Sequence, residues 1–119
     1  MIKEDYVSYE VAKLLKEKGF NEPCYTCYID DNEISRCDYL STNFELIDNA
    51  FSAPTLQMAM KWLRNKGIYI QIRRNVNTYL YGAIMLKDGS DTYATIPSEL
   101  ETYEEAIEAA LKYALENLI

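Results

Sequence analysis

Four sets of residues in this 119-residue chain have types and spacing that could do chemistry. The first is Cys24-Tyr25-Thr26-Cys27, with Cys37 ten residues later. A structural zinc needs four ligands in tetrahedral array, usually Cys and His. Here there are three cysteines and no histidine, so Asp38 would have to complete the set. A redox Cys-x-x-Cys sits at a helix N-terminus, where the dipole lowers the thiol pKa. This pair instead follows Pro23 and lies among Tyr, Thr and Ile, residues that favour a strand. In a regular strand, residues i and i+3 point to opposite faces about 10 Å apart at ~3.3 Å per residue. That separation suits neither a shared metal nor a disulfide. The expectation is reduced, buried thiols and no metal.

The second set is acidic. Asp30-Asp31 falls in a predicted turn, where Asp is favoured for backbone reasons. Glu101, Glu104, Glu105 and Glu108 share one helix face. A general acid needs a raised pKa from burial or a like-charged neighbour, and a solvated helix N-terminus acts in the opposite direction. The third set is the glycines, four in number and never clustered as a phosphate loop. Neither Gly-x-Ser-x-Gly nor His-Glu-x-x-His occurs. With no histidine the commonest general base is missing. No catalytic residue and no cofactor is assigned, and the chain reads as non-enzymatic.

The fourth set is aromatic and basic. Eleven of the residues are tyrosine. In Ile68–Arg73 the isoleucines alternate with Tyr69, Gln71 and Arg73; in the next strand Tyr79 and Tyr81 share a side with Ala83 and Met85. If those faces coincide, Tyr69, Arg73, Tyr79 and Tyr81, with Arg74 and Lys61 nearby, form one aromatic and cationic surface. Such a surface stacks bases and pairs phosphates, or anchors a protein partner, for which Tyr and Arg are the favoured residues. The plainer account is tyrosines with a buried ring and a wet hydroxyl. Bases converging beside Tyr69 and Tyr81 (Arg73, Arg74, Lys61, Lys66) would favour a nucleotide or nucleic acid; scattered bases would favour a protein.

Charge is segregated as well. Residues 1–48 carry −6, residues 49–87 carry +6 with no acid at all, and residues 88–119 carry −7, for a net −7. An acidic chain is repelled as a whole by nucleic acid and anionic membrane. Oppositely charged blocks either meet within the fold or complement each other across a closed two-fold dimer.

Three segments must position these residues as helices. Ser8 caps the first, over Tyr9–Lys18, with Val11, Leu14 and Leu15 on one face and Gly19-Phe20 as its stop. Ser52 or Thr55 opens the second, with Pro54 in its first turn, Leu56, Ala59, Met60 and Leu63 as its stripe, and Gly67-Ile68 repeating the stop. Thr102 and Glu105 form a capping box for the third, whose Ile107, Ala110, Leu111, Ala114, Leu115 and Leu118 recur at helical spacing. Strand-like pieces lie between: Cys24–Ile29, Ile34–Leu40, a short Phe44–Ile47, Ile68–Arg73, Tyr79–Leu86 and Thr92–Ile96. Hairpin-length connections imply antiparallel pairing. The predicted fold is α+β, in the order α-ββ(β)-α-βββ-α, a mainly antiparallel sheet of hairpins covered by two or three helices in a single domain over residues 1–119.

The blocks Tyr9–Phe20, Ala53–Arg64 and Thr102–Ala106 with the amphipathic tail resemble a family of small proteins from prophages and mobile elements of gut bacteria. The resemblance covers about half the chain, all of it helical, and implies a cytoplasmic bacterial origin with no activity, cofactor or catalytic residue attached. The unpaired cysteines and the polar opening residues carry the same cytoplasmic expectation. The functional expectation is an accessory protein that binds a protein partner or a second copy of itself. The alternative is a nucleotide or nucleic-acid binder on the basic, tyrosine-bearing sheet face.

Overall fold

The structure, a computed structural model, describes residues 2–29, 34–42 and 50–119, with the backbone alone for 37–42. The elements are α1 (Tyr9–Glu17), β1 (Pro23–Ile29), β2 (Ile34–Thr42), β3 (Ala50–Ser52), α2 (Leu56–Asn65), β4 (Ile68–Arg74), β5 (Tyr81–Lys87), β6 (Tyr93–Leu100) and α3 (Tyr103–Asn117). The α+β class and the predicted element order hold. The strands divide into two antiparallel three-stranded sheets, β2-β1-β3 and β4-β5-β6. The turn at Asp30-Asp31 and the short strand at Phe44–Ile47 lie outside the described residues. The chain forms two compact units, Met1–Gln57 and Met58–Ile119.

In the first unit β1 is the central strand, antiparallel to β2 and to β3. Its residues Thr26, Cys27 and Tyr28 are all buried. A register shift between Cys24 and Thr26 interrupts the pairing with β2. Ser8 caps α1 by accepting the Val11 N–H at 3.2 Å. The helix stops as predicted, one residue early. Gly19 takes a φ of 94°, its N–H reaches the Lys16 carbonyl, and the Phe20 N–H reaches the Leu15 carbonyl at 2.9 Å. These are the two bonds of a Schellman stop. Side chains then tie the remaining backbone: the Tyr28 hydroxyl donates to the Val7 carbonyl at 2.6 Å, Thr26 Oγ1 to the Ala53 carbonyl at 2.5 Å, and Lys16 Nζ to the Ala50 carbonyl at 3.1 Å. Tyr9 meets Tyr28 and Phe51 edge-on. An isolated antiparallel bridge joins Tyr6 to Thr55, and the Val7 N–H donates to the Pro54 carbonyl. Pro54 therefore precedes α2 instead of filling its first turn: its carbonyl is held by the N-terminal segment, and the helix begins at Leu56.

The second unit is a meander closed by a helix. β4 and β5 pair without interruption from Ile68↔Lys87 to Arg74↔Tyr81. β5 and β6 pair from Leu86↔Tyr93 to Tyr81↔Leu100, with a register shift between Tyr81 and Ala83. Gly82 sits at that shift. A Cβ there would come within 2.8 Å of the backbone of Pro97 and Ser98, so only glycine admits the close approach. α3 lies across all three strands. Ala110 of α3 is buried against Ala83 and Met85 of β5, with Ile70, Ile72, Ala94 and Ile96 from the sheet and Tyr113 and Leu118 from the helix side packed around them. Thr102 accepts the Glu105 N–H at 3.0 Å, the N-cap the sequence predicts. The hairpin between β4 and β5 is longer than predicted. The segment 75–80 is loop, so Tyr79 lies outside the strand, and β5 begins at Tyr81.

Leu111 is fully buried on α3, along with Ile107 and Leu115. Leu111→Ala removes most of a buried side chain and leaves a cavity, which costs about 2–5 kcal/mol. Chemical denaturation checks this; a midpoint that stays in place would mean that α3 does not dock through this residue.

Candidate functional site

The pairing register decides which of the predicted surface residues meet. Directly paired residues in an antiparallel ladder project to the same face. Ile70 opposes Met85, Ile72 opposes Ala83 and Arg74 opposes Tyr81. Tyr81 and Arg74 therefore belong to the α3-covered side of the sheet. Tyr69 opposes Leu86, and Arg73 opposes Gly82, on the other side. The single surface of Tyr69, Arg73, Tyr79 and Tyr81 does not form, because β5 presents Tyr81 together with Ala83 and Met85 toward the helix. Two separate surfaces replace it.

The first is at the end of the sheet where the β4–β5 hairpin turns. The Arg74 guanidinium lies 4.7 Å from the ring centre of Tyr79 and 5.9 Å from that of Tyr81. Tyr81 in turn meets Tyr103 edge-on at 6.3 Å. The loop is built by Asn75, whose side-chain oxygen accepts the N–H groups of Asn77 and Thr78, while its carbonyl accepts the Tyr79 N–H at 2.8 Å. This winding leaves Tyr79 with a φ of 63°, alone among the described non-glycine residues in the left-handed region. A bulky residue there is strained. Tyr79 is nonetheless 61% exposed.

The second surface is the face of β4-β5-β6 opposite α3. Tyr69, Leu86 and Tyr93 lie side by side across the three strands. They are 39%, 37% and 64% exposed. The next row is Gln71, Ile84 and Thr95. Arg73 stands at one end of β4, and at the other the Tyr69 hydroxyl donates to Asp88 Oδ2 at 3.3 Å. Sequence reasoning found Tyr69 and Arg73 on this face and missed Leu86 and Tyr93. The signal for Tyr93 was the alternation with Ala94 and Ile96, which turns Tyr93 and Thr95 outward. Leu86 carried no such signal, since β5 is apolar along most of its length.

The two arginines of β4 do not converge. Arg74 lies over Tyr79, Lys66 lies 4.6 Å from the Trp62 ring centre, Lys61 is exposed on α2, and Arg73 is on the opposite face from Arg74. Cys24 and Cys27 read as structural: they are free thiols and both buried. Burial first, and the Glu22 charge second, push the Cys24 thiol up to about 11. That direction disfavours the thiolate that metal binding and redox exchange require. The side chains of Cys37 and Asp38 lie outside the described residues. Among the described residues no group of three or more His, Cys, Asp or Glu is placed to hold a metal ion, and no helix is long and apolar enough to cross a membrane. No protein-family model matches the chain, and neither a curated protein nor a solved structure matches it.

Two measurements follow. A thiol of ordinary pKa ~8.5 is about one quarter thiolate at pH 8; at about 11 the fraction is about one in a thousand. Cys24 should therefore be alkylated at least ~100-fold more slowly in the folded protein than in denaturant at pH 8, read by mass spectrometry. The unfolded thiol ionises first, so this group's contribution to stability is complete below the unfolded pKa of ~8.5 and is lost as pH rises from there through about 11. Fast labelling of the native protein at pH 8 would contradict the assignment. At Tyr79, Ala keeps the left-handed strain and Gly relieves it, so Tyr79→Gly should be more stable than Tyr79→Ala by about 1 kcal/mol. In an ordinary strand the order is reversed, which makes the sign of the difference the test.

Proposed function

We propose that this protein is a non-enzymatic interaction module that binds a protein partner through the open face of β4-β5-β6. The observation that carries this reading is the exposed cross-strand row of Tyr69, Leu86 and Tyr93. Two rings and a branched aliphatic side chain, side by side on a sheet held from behind by α3, supply apolar area at low entropic cost. Tyrosine and arginine are the side chains that most often dominate interface energetics, and Arg73 adds a charge at the margin of the row.

The distribution of bases supports a protein over an anionic ligand. A phosphate or nucleic-acid groove needs several cations pointing at one place. Here Arg74 and Lys66 are each engaged with a ring, and Arg73 is the basic residue of the open face. The role that fits is that of a small cytoplasmic accessory protein, of the kind that mobile elements encode.

The test compares partner capture by the wild type and by Tyr93→Ala. Tyr93 is mostly solvated, so the substitution should leave stability within about 0.5 kcal/mol. Loss of an interface anchor should weaken binding of the captured protein about tenfold or more, equivalent to ~1.4 kcal/mol. Mononucleotides and short oligonucleotides are titrated in parallel by NMR. Saturable shifts of the open face at micromolar nucleotide, with no protein partner sensitive to Tyr93, would replace this reading with the nucleotide one.

A further inference from the structure

The open face is not the only unpartnered feature of the second sheet. Its two edges are unlike. The β6 edge is guarded: Pro97 removes a donor, and the register shift at residues 97–99 breaks the strand's regularity. The β4 edge carries neither device. β4 runs seven residues in unbroken register with β5 and contains no proline and no bulge.

Which backbone groups face out from β4 follows from its two ends. The Asp88 N–H donates to the Gly67 carbonyl, and the Asn75 N–H donates to the Leu80 carbonyl. Both pairs continue the β4–β5 register. Backbone direction alternates along a strand, so Tyr69, Gln71 and Arg73 turn their N–H and C=O groups toward β5. Ile70, Ile72 and Arg74 turn theirs outward. Among the described residues β4 pairs with β5 alone. A regular edge of this kind is a template for strand addition.

We propose that the occupant of this edge is a second copy of the chain, its β4 running antiparallel about a two-fold axis at Gln71, so that the two sheets join into one of six strands. The sequence Ile68-Tyr69-Ile70-Gln71-Ile72-Arg73-Arg74 is self-complementary in that register. On the α3 side Ile70 lies opposite Ile72 of the partner subunit. On the open face Tyr69 lies opposite Arg73 of the partner subunit, a ring against a cation. Gln71 lies opposite Gln71 of the partner subunit. Arg74 lies opposite the partner's Ile68, so no arginine is set against another. A foreign strand would have no need of this symmetry. The pairing uses the edge and not the face, so it goes beyond the proposed function and either can fail alone. A seven-residue strand is about 23 Å long, and a sheet is roughly 10 Å thick. The contact is smaller than the ~800 Å² per partner of stable complexes. The dimer is accordingly weak, with Kd in the micromolar range or above, and reversible.

The register makes the test specific. Gln71 with its symmetry mate is a non-hydrogen-bonded pair, whose Cα atoms lie about 4.5 Å apart, within the range a disulfide spans. Its side chain is exposed and its backbone serves β5, so substitution leaves the fold in place. In a Cys37→Ser background, Gln71→Cys should form a disulfide-linked dimer at about 100 µM protein with oxidised glutathione as the electron acceptor. Tyr69→Cys, whose symmetry mate lies about 13 Å away in this register, should cross-link at least ~10-fold more slowly. By sedimentation the wild type should rise from 13.8 kDa toward twice that with concentration. Gln71→Lys, which sets like charges face to face, should stay monomeric with an unchanged thermal melt. Equal cross-linking rates at positions 69 and 71, a strictly monomeric wild type at ~0.5 mM, or a dimer indifferent to Gln71→Lys would each overturn the proposal.

Discussion

The register between β4 and β5 is the constraint on which the second unit depends. It is fixed at both ends by backbone hydrogen bonds just outside the strands, Asp88 to Gly67 and Asn75 to Leu80. Side chains alternate with period two, so a slip of one residue would exchange the faces of a strand. Ile70 and Ile72 of β4, or Ala83 and Met85 of β5, would then leave the underside of α3. In the observed register they form its packing surface, and Tyr69 with Leu86 is left outside. The same phase decides which amides of β4 point away from the sheet. One choice of pairing thus sets the core, the exposed face and the free edge together.

The first unit is held by a different device. β3 is only three residues long and α1 only nine. Much of the tying is done by side chains reaching backbone carbonyls: Tyr28 to Val7, Thr26 to Ala53, Lys16 to Ala50. A polar group that ends its path on a buried carbonyl satisfies an acceptor that would otherwise be costly to desolvate. Tyr28 acts as the sequence composition hinted, with its ring inside and its hydroxyl bonded. That accounts for part of the high tyrosine content without reference to any partner.

The sequence disclosed those features that depend on neighbours along the chain. The N-caps at Ser8 and Thr102, the stop at Gly19-Phe20 and the alternation in β4 are local, set by a few adjacent residues, and the structure contains each of them. Features set by pairing across the chain were not legible. Tyr79 reads as a strand residue, because nothing in its own type reveals the Asn75-centred loop that turns it left-handed. Gly82 belongs to no cap or turn in the sequence, and its role appears only in the close approach of β6. Pro54 looked like a helix-starting proline until Val7 bonded its carbonyl. The site divided in the same way: Tyr69 and Arg73 were legible from alternation within one strand, whereas their separation from Tyr81 is a property of two strands and of the helix above them.

The bridge between Tyr6 and Thr55 has a consequence for how the chain folds. In the second unit each element pairs with a sequence neighbour, β4 with β5 and β5 with β6, and α3 follows directly. Contacts of that kind give a low contact order, and low contact order goes with fast folding. The Tyr6–Thr55 bridge forms only when the segment around Thr55 returns to the N-terminal segment, a loop-closure entropy that must be met before its contacts form. During synthesis α1 therefore emerges before β3 and before the residues leading into α2, and the contacts of Tyr6 and Val7 with Thr55 and Pro54 wait until those residues have left the ribosome.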